Sequence, residues 1–188
     1  CLCVVVHAKA LTLVEFSMRT TWRWPRDHDE GDLIVSEMDE VIPALVAAVQ
    51  EQHATGDHYR DDAIRQAMEH QAQLALRPGP VRVDVIVDPP WSDGQINSVQ
   101  VVTGDRPFLV DTVVSCLLRH GWRVEDVRHP IIGVKRDRGT IEAVGMPGRG
   151  GCASESWIHI DVTAPLGTDI GQAAEQLRDD LCACLDQV

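Results

Sequence analysis

Several residue types in this chain have the chemistry to hold or transform a small molecule, and their spacing decides which of them do. The eight histidines are His7, His28, His53, His58, His70, His120, His129 and His159, and none forms an H-x-x-x-H pair around an acid. Zinc needs several ligands at matched spacing, commonly C-x-x-C. The six cysteines (Cys1, Cys3, Cys116, Cys152, Cys182 and Cys184) offer two C-x-C pairs and no C-x-x-C. His129 before Pro130, and His159 between Ile158 and Ile160, read more simply as hydrogen-bonded sheet residues. The stretch Gly145 to Gly151 is glycine-rich but matches neither phosphate-cradling pattern, and no helix pattern follows it, so it reads as a flexible hairpin connection. Cys116 falls between Val113 and Leu117 on an apolar helix row, where burial makes a thiol inert. The pairs Asp61-Asp62 and Asp179-Asp180 read as solvated helix faces, and no G-x-S-x-G elbow is present. No catalytic cluster and no metal site is expected.

One segment stands apart. Gly104, Asp105, Arg106 and Pro107 end a strand in a polar turn, and Phe108, Leu109, Val110 and Asp111 open a helix. A helix N-terminus presents free N–H groups and a positive dipole end, which suits the carboxylate of a small ligand. Gly104, Asp105, Arg106, Pro107 and Asp111 are therefore the candidate effector-binding residues. The competing reading is plain capping, with Asp105 satisfying the helix start and Asp111 complementing the dipole. The residues alone favour capping.

The elements that place this turn follow from periodicity. Residues 19–35 carry charge without period and read as an extended segment. Ser36 and Asp39 start a helix in which Ile42, Leu45, Val46 and Val49 recur at helical spacing. Asp61 to Leu76 is a second helix with Ile64, Ala67, Met68, Ala72 and Ala75 on one side, and Arg77-Pro78-Gly79-Pro80 ends it. Val81, Val83, Val85 and Val87 alternate with Arg82, Asp84 and Asp88, a half-buried strand, and residues 97–103 form another. Pro107 is expected near the first helical position, and Gly121 closes the helix after Arg119 and His120. Trp122 to Arg136 reads as a strand broken or bulged near Pro130, and Asp137-Arg138-Gly139 turns it into Thr140 to Val144. Residues 145–154 are a loop. Trp157, His159 and Asp161 alternate with Ile158, Ile160 and Val162 in a strand, and Thr168-Asp169 starts a last helix that runs uncapped to the chain end, as a truncated piece would. Strand–helix–strand followed by a hairpin implies an α+β layer: an antiparallel sheet with helices on one face.

The chain has 188 residues, 44% of them hydrophobic, with a net charge of −12. That is enough apolar surface for a core. The acidic balance disfavours nucleic acid and anionic membranes. The irregular cysteine spacing reads as reduced, cytoplasmic thiols. The apolar stretch over residues 1–16 is interrupted by His7 and Lys9 and is too short to span a bilayer. Met18 is a candidate start, leaving open whether residues 1–17 are native.

The segment DRPFLVDTV (105–113) resembles the D-x-P-F-L-V-D-S-V signature of the N-terminal region of large NAD-specific glutamate dehydrogenases. Val81-Arg82-Val83, Trp91-Ser92 and the strand over 99–102 resemble the family's lead-in, and Leu117-Leu118-Arg119-His120-Gly121 its helix end. His129-Pro130, Val134-Lys135-Arg136-Asp137 and Gly139 are similar to its I-H-P-V-x-x-V-x-R-D-x-x-G stretch. Glu155-Ser156-Trp157-Ile158-His159-Ile160-Asp161 is similar to its E-S-x-M-H-I-E-I strand. Order and spacing agree over residues 60–186. Thr112 stands where the family has serine, residues 125–128 are more polar, and residues 1–35 match nothing.

The resemblance implies a ferredoxin-like, ACT-type sheet over 81–188; the periodicity places before it a helical extension over 36–80 and an irregular or non-native leader over 1–35. It implies a regulatory and assembly fragment, not catalytic alone, with an amino-acid effector, a homo-oligomer and the downstream catalytic domains of the same polypeptide as partners. The parent enzyme would deaminate L-glutamate oxidatively to 2-oxoglutarate with NAD, while this piece would bind no cofactor itself. A purely structural oligomerisation module is the alternative.

Overall fold

The structure, a computed structural model, describes residues 42–47, 61–92, 94 and 96–187. Residues 42–47 are helical, and the proposed start of that helix at Ser36 lies outside the described residues, as does the leader over 1–35. Helix α1 spans Asp61–Ala75. Its end tightens as the N–H groups of Leu76 and Arg77 turn back to the carbonyls of Gln73 and Leu74, before Pro78 and Pro80 stop the helix.

Six strands follow, β1 (Val81–Ile86), β2 (Asn97–Gly104), β3 (Arg123–Arg128), β4 (Ile131–Asp137), β5 (Thr140–Gly145) and β6 (Ala153–Thr163), with helices α2 (Leu109–Arg119) and α3 (Ile170–Leu185). They form one antiparallel sheet in the order β1-β2-β6-β4-β5, with β3 also paired to β6. β3 and β4 lie end to end along the same side of β6: Arg128 pairs with His159, and Ile131 with Ser156. The expected break is at His129-Pro130, because proline has no N–H to give the ladder. Its carbonyl still accepts from Trp157 N–H at 3.0 Å, so the run resumes. β2–α2–β3 is a split βαβ unit with β6 inserted between its strands. The edge beside β2, which a βαββαβ unit fills with its last strand, is here filled by β1.

The helix ends match their residue chemistry. Asp169 caps α3, accepting from the N–H groups of Gly171 and Gln172. Past α2, Gly121 adopts φ 76°, and the N–H groups of Gly121 and Trp122 donate to the carbonyls of Leu118 and Leu117. This Schellman pattern needs a left-handed residue. In the β4–β5 hairpin Arg138 and Gly139 both have positive φ, 48° and 89°, which matches the twist of the strands.

The sheet is covered on both faces. Helices α2 and α3 pack on one side against Val83, Val99, Val101, Val124, Ile158, Ile160 and Val162. The extension covers the other, with Leu45, Met68, Ala72, Leu74 and Ala75 against Val102, Ile132, Val134, Ile141 and Trp157. The half-buried pattern expected for β1 therefore fails at Arg82, which is buried, as are Ser98 and Gln100 on β2. The second face is closed by a helix that precedes the sheet. Among the described residues no helix is long and apolar enough to cross a membrane.

The β4–β5 hairpin is tight enough to exclude a side chain at Gly133, where an added Cβ would collide with the backbone of Gly145 and Met146. Gly133→Ala is expected to destabilise the fold by about 1–3 kcal/mol. Urea unfolding of the two proteins measures this; an unchanged midpoint would contradict the packing.

Candidate functional site

The turn between β2 and α2 is tied down from three sides. Asp105 N–H donates to the Ser154 carbonyl at 2.8 Å, extending the β2–β6 ladder by one step. The Ser156 hydroxyl donates to the Asp105 carboxylate at 2.6 Å, and His129 Nε2 lies 3.0 Å from the same hydroxyl oxygen. With that hydroxyl committed to Asp105, His129 is the donor to it. Ser156 is fully buried, so this chain of groups holds the turn and offers no nucleophile. Burial pushes His129 below its usual pKa, opposed by the nearby Asp105 charge.

Arg106 points the other way. Its Nη2 donates to the Leu185 carbonyl at 2.6 Å, answering one of the open carbonyls at the end of α3. Its Nε is buried without a hydrogen-bond partner among the described residues.

The capping expectation for Asp105 is overturned. The residue in the cap position is Phe108, with φ 67° and ψ 9°, and no side chain caps the helix. Asp105 lies too far upstream and is taken by Ser156. Pro107 sits before the cap rather than at the first helical position, leaving a phenylalanine to make the left-handed turn. A β-carbon in that region costs about 1–2 kcal/mol, and strained residues of this kind cluster at functional sites. The ring gains little in return, being 74% exposed. The first intrahelical bond is Thr112 N–H to the Phe108 carbonyl. The N–H groups of Leu109, Val110 and Asp111 therefore open the helix without a side-chain cap. Asp111 is exposed in the first turn, as expected from the dipole.

Of the five predicted site residues, Gly104, Asp105, Pro107 and Asp111 are exposed around the turn, and Arg106 is drawn half-buried toward α3. Phe108 was missed. Nothing in its residue type signals a positive φ, and only its place between a proline and the helix could have drawn notice.

A second polar group binds α1 to the sheet. Gln100 Nε2 lies 2.8 Å from the Ala67 carbonyl and 3.1 Å from His159 Nδ1, and His70 Nδ1 lies 2.8 Å from Gln100 Oε1. His159 Nε2 lies 3.0 Å from Asp161 Oδ1, and Asp161 Oδ2 accepts from Arg128 at 3.2 Å. His159 is thus the hydrogen-bonded sheet histidine expected from its spacing.

A model of the glutamate dehydrogenase ACT1 domain matches residues 44–181, nearly three quarters of the chain. The matched span begins within the helical residues 42–47 and takes in α1. No solved structure matches the chain significantly.

Two outcomes test this geometry. Phe108→Gly should stabilise the fold by about 1 kcal/mol, since glycine adopts positive φ without strain and little burial is lost; a lower unfolding midpoint would contradict it. His129 should titrate below 6.5 by NMR. The native state then keeps the ring neutral while the unfolded chain binds a proton, so stability should fall as pH drops below that value. His129→Gln should flatten that slope.

Proposed function

Since the chain belongs to the glutamate dehydrogenase ACT1 domain family, we propose that it is a regulatory and assembly region of a large NAD-dependent glutamate dehydrogenase. In this reading it senses an amino acid at the turn from Gly104 to Asp111. The observation that carries the reading is a helix start without a side-chain cap, displayed by a strained and exposed Phe108. The ligand carboxylate would meet the N–H groups of Leu109 and Val110, and its ammonium group the Asp111 carboxylate, so that a zwitterion satisfies both signs. Phe108 would lie over the ligand's side chain. Binding acts by population shift: a ligand that prefers one arrangement of the turn biases whatever the region contacts.

The contacts are the downstream catalytic domains of the same cytoplasmic polypeptide, which supply NAD binding and the oxidative deamination of L-glutamate. The region also joins copies of the enzyme into a homo-oligomer. The alternative, assembly without a ligand, draws on Phe108 and Leu118, large apolar side chains 74% and 61% exposed near the two ends of α2.

Calorimetry of the purified chain against each proteinogenic amino acid separates these. Binding that weakens on the order of tenfold in Asp111→Asn supports the effector site. No heat from any of them, with a stable dimer by light scattering, leaves assembly alone.

A further inference from the structure

Away from the β2–α2 turn, the last turns of α2 and α3 meet around sulfur. Arg119 Nη2 donates to Cys184 Sγ at 3.3 Å, and His120 Nε2 lies 2.8 Å from Asp180 Oδ2. Cys116, one turn back on α2, is fully buried in the core against which Cys184 packs. An open groove of about 370 Å³ is lined by Arg119, His120, Asp180, Ala183, Cys184 and Gln187. Cys184 therefore stands between two environments, with an open groove on one side and the core that holds the Cys116 thiol on the other.

The other described cysteines lack this combination. Burial, and then the charges of Asp186 and Asp179, push the Cys182 thiol up, which disfavours the thiolate that reacts. Cys152 is buried just before β6. Burial also pushes the Cys116 thiol up, so it is not the first to meet an oxidant from solvent.

We propose that Cys184 and Cys116 form a peroxide-sensitive dithiol, in which Cys184 is oxidised from the groove and Cys116 resolves it. The Cys184 sulfur attacks one oxygen of hydrogen peroxide. The O–O bond breaks, Cys184 becomes a sulfenic acid, and the other oxygen leaves as water. The Cys116 sulfur then attacks the Cys184 sulfur, the S–O bond breaks and a second water leaves. Two thiols and one peroxide give one disulfide and two waters. Arg119 stabilises the negative charge on sulfur during the first attack. The bond would tie α2 to α3 beside Leu185, whose carbonyl holds Arg106, so oxidation of the dithiol would be felt at the β2–α2 turn.

The test uses the reduced, purified chain, treated with hydrogen peroxide, blocked with iodoacetamide and digested without reductant for mass spectrometry. One peptide pair joining Cys116 to Cys184 is expected, lost on adding dithiothreitol. In Cys116→Ser the oxidation should stop at a sulfenic acid on Cys184 that dimedone traps. Arg119→Gln should slow formation of the bridge on the order of tenfold. Cross-links through any other cysteine in place of this pair, absence of the dimedone adduct in Cys116→Ser, or an unchanged rate in Arg119→Gln would overturn the proposal. The wild-type peptide map decides the pairing even if a variant folds poorly.

Discussion

Strand β6 has neighbours on both edges and cover on both faces, so nearly every side chain from Glu155 to Val162 is removed from water. Half of that run is polar: Glu155, Ser156, His159 and Asp161. A buried polar group without a partner costs roughly 1–3 kcal/mol, and a buried charge more. Each of these residues must therefore be met by a particular neighbour. Glu155 is met by a forked pair of bonds from Arg136 at 2.6 and 3.0 Å. Ser156 meets Asp105 and His129, His159 meets Gln100, and Asp161 meets Arg128 and Ser98.

The candidate site inherits its shape from this requirement. Because Ser156 claims Asp105, the one acidic side chain just upstream of α2 is unable to reach the helix start. Because Arg106 serves the end of α3, the nearest cation is turned inward. What remains at the mouth of the turn is backbone N–H, one exposed carboxylate and an aromatic ring held in a left-handed conformation. The same needs that stabilise the sheet strip the turn of its ordinary cap. The inward-turned Arg106 also links the turn to the end of α3, where Cys184 lies.

The extension helix α1 has a similar double role. Its apolar side closes the second face of the sheet, and its His70 and the Ala67 carbonyl satisfy Gln100. Without it, Gln100 and Arg82 would face water, as an alternating strand pattern implies. The family match that begins at residue 44 fits a unit in which this helix belongs with the sheet.

Local chemistry was enough to read much of this from sequence. Proline and glycine punctuation placed the end of α1, the close of α2 at Gly121, the break at Pro130 and the hairpin at Gly139. Alternation placed β2 and β6, and Asp169 marked the start of α3. These are short-range rules, set by φ preferences, missing N–H groups and side-chain periodicity. Which groups meet across the sheet was not legible, because partners such as Asp105 and Ser156 lie 51 residues apart. Nor was the left-handed Phe108, whose conformation is imposed by the ties on either side of it against its own preference. Local residue chemistry thus determined the elements and their order. Tertiary packing alone decided that α1 closes the second face and that Asp105 abandons the helix it precedes, because burying β6 on both faces forces its polar side chains to recruit partners from distant parts of the chain.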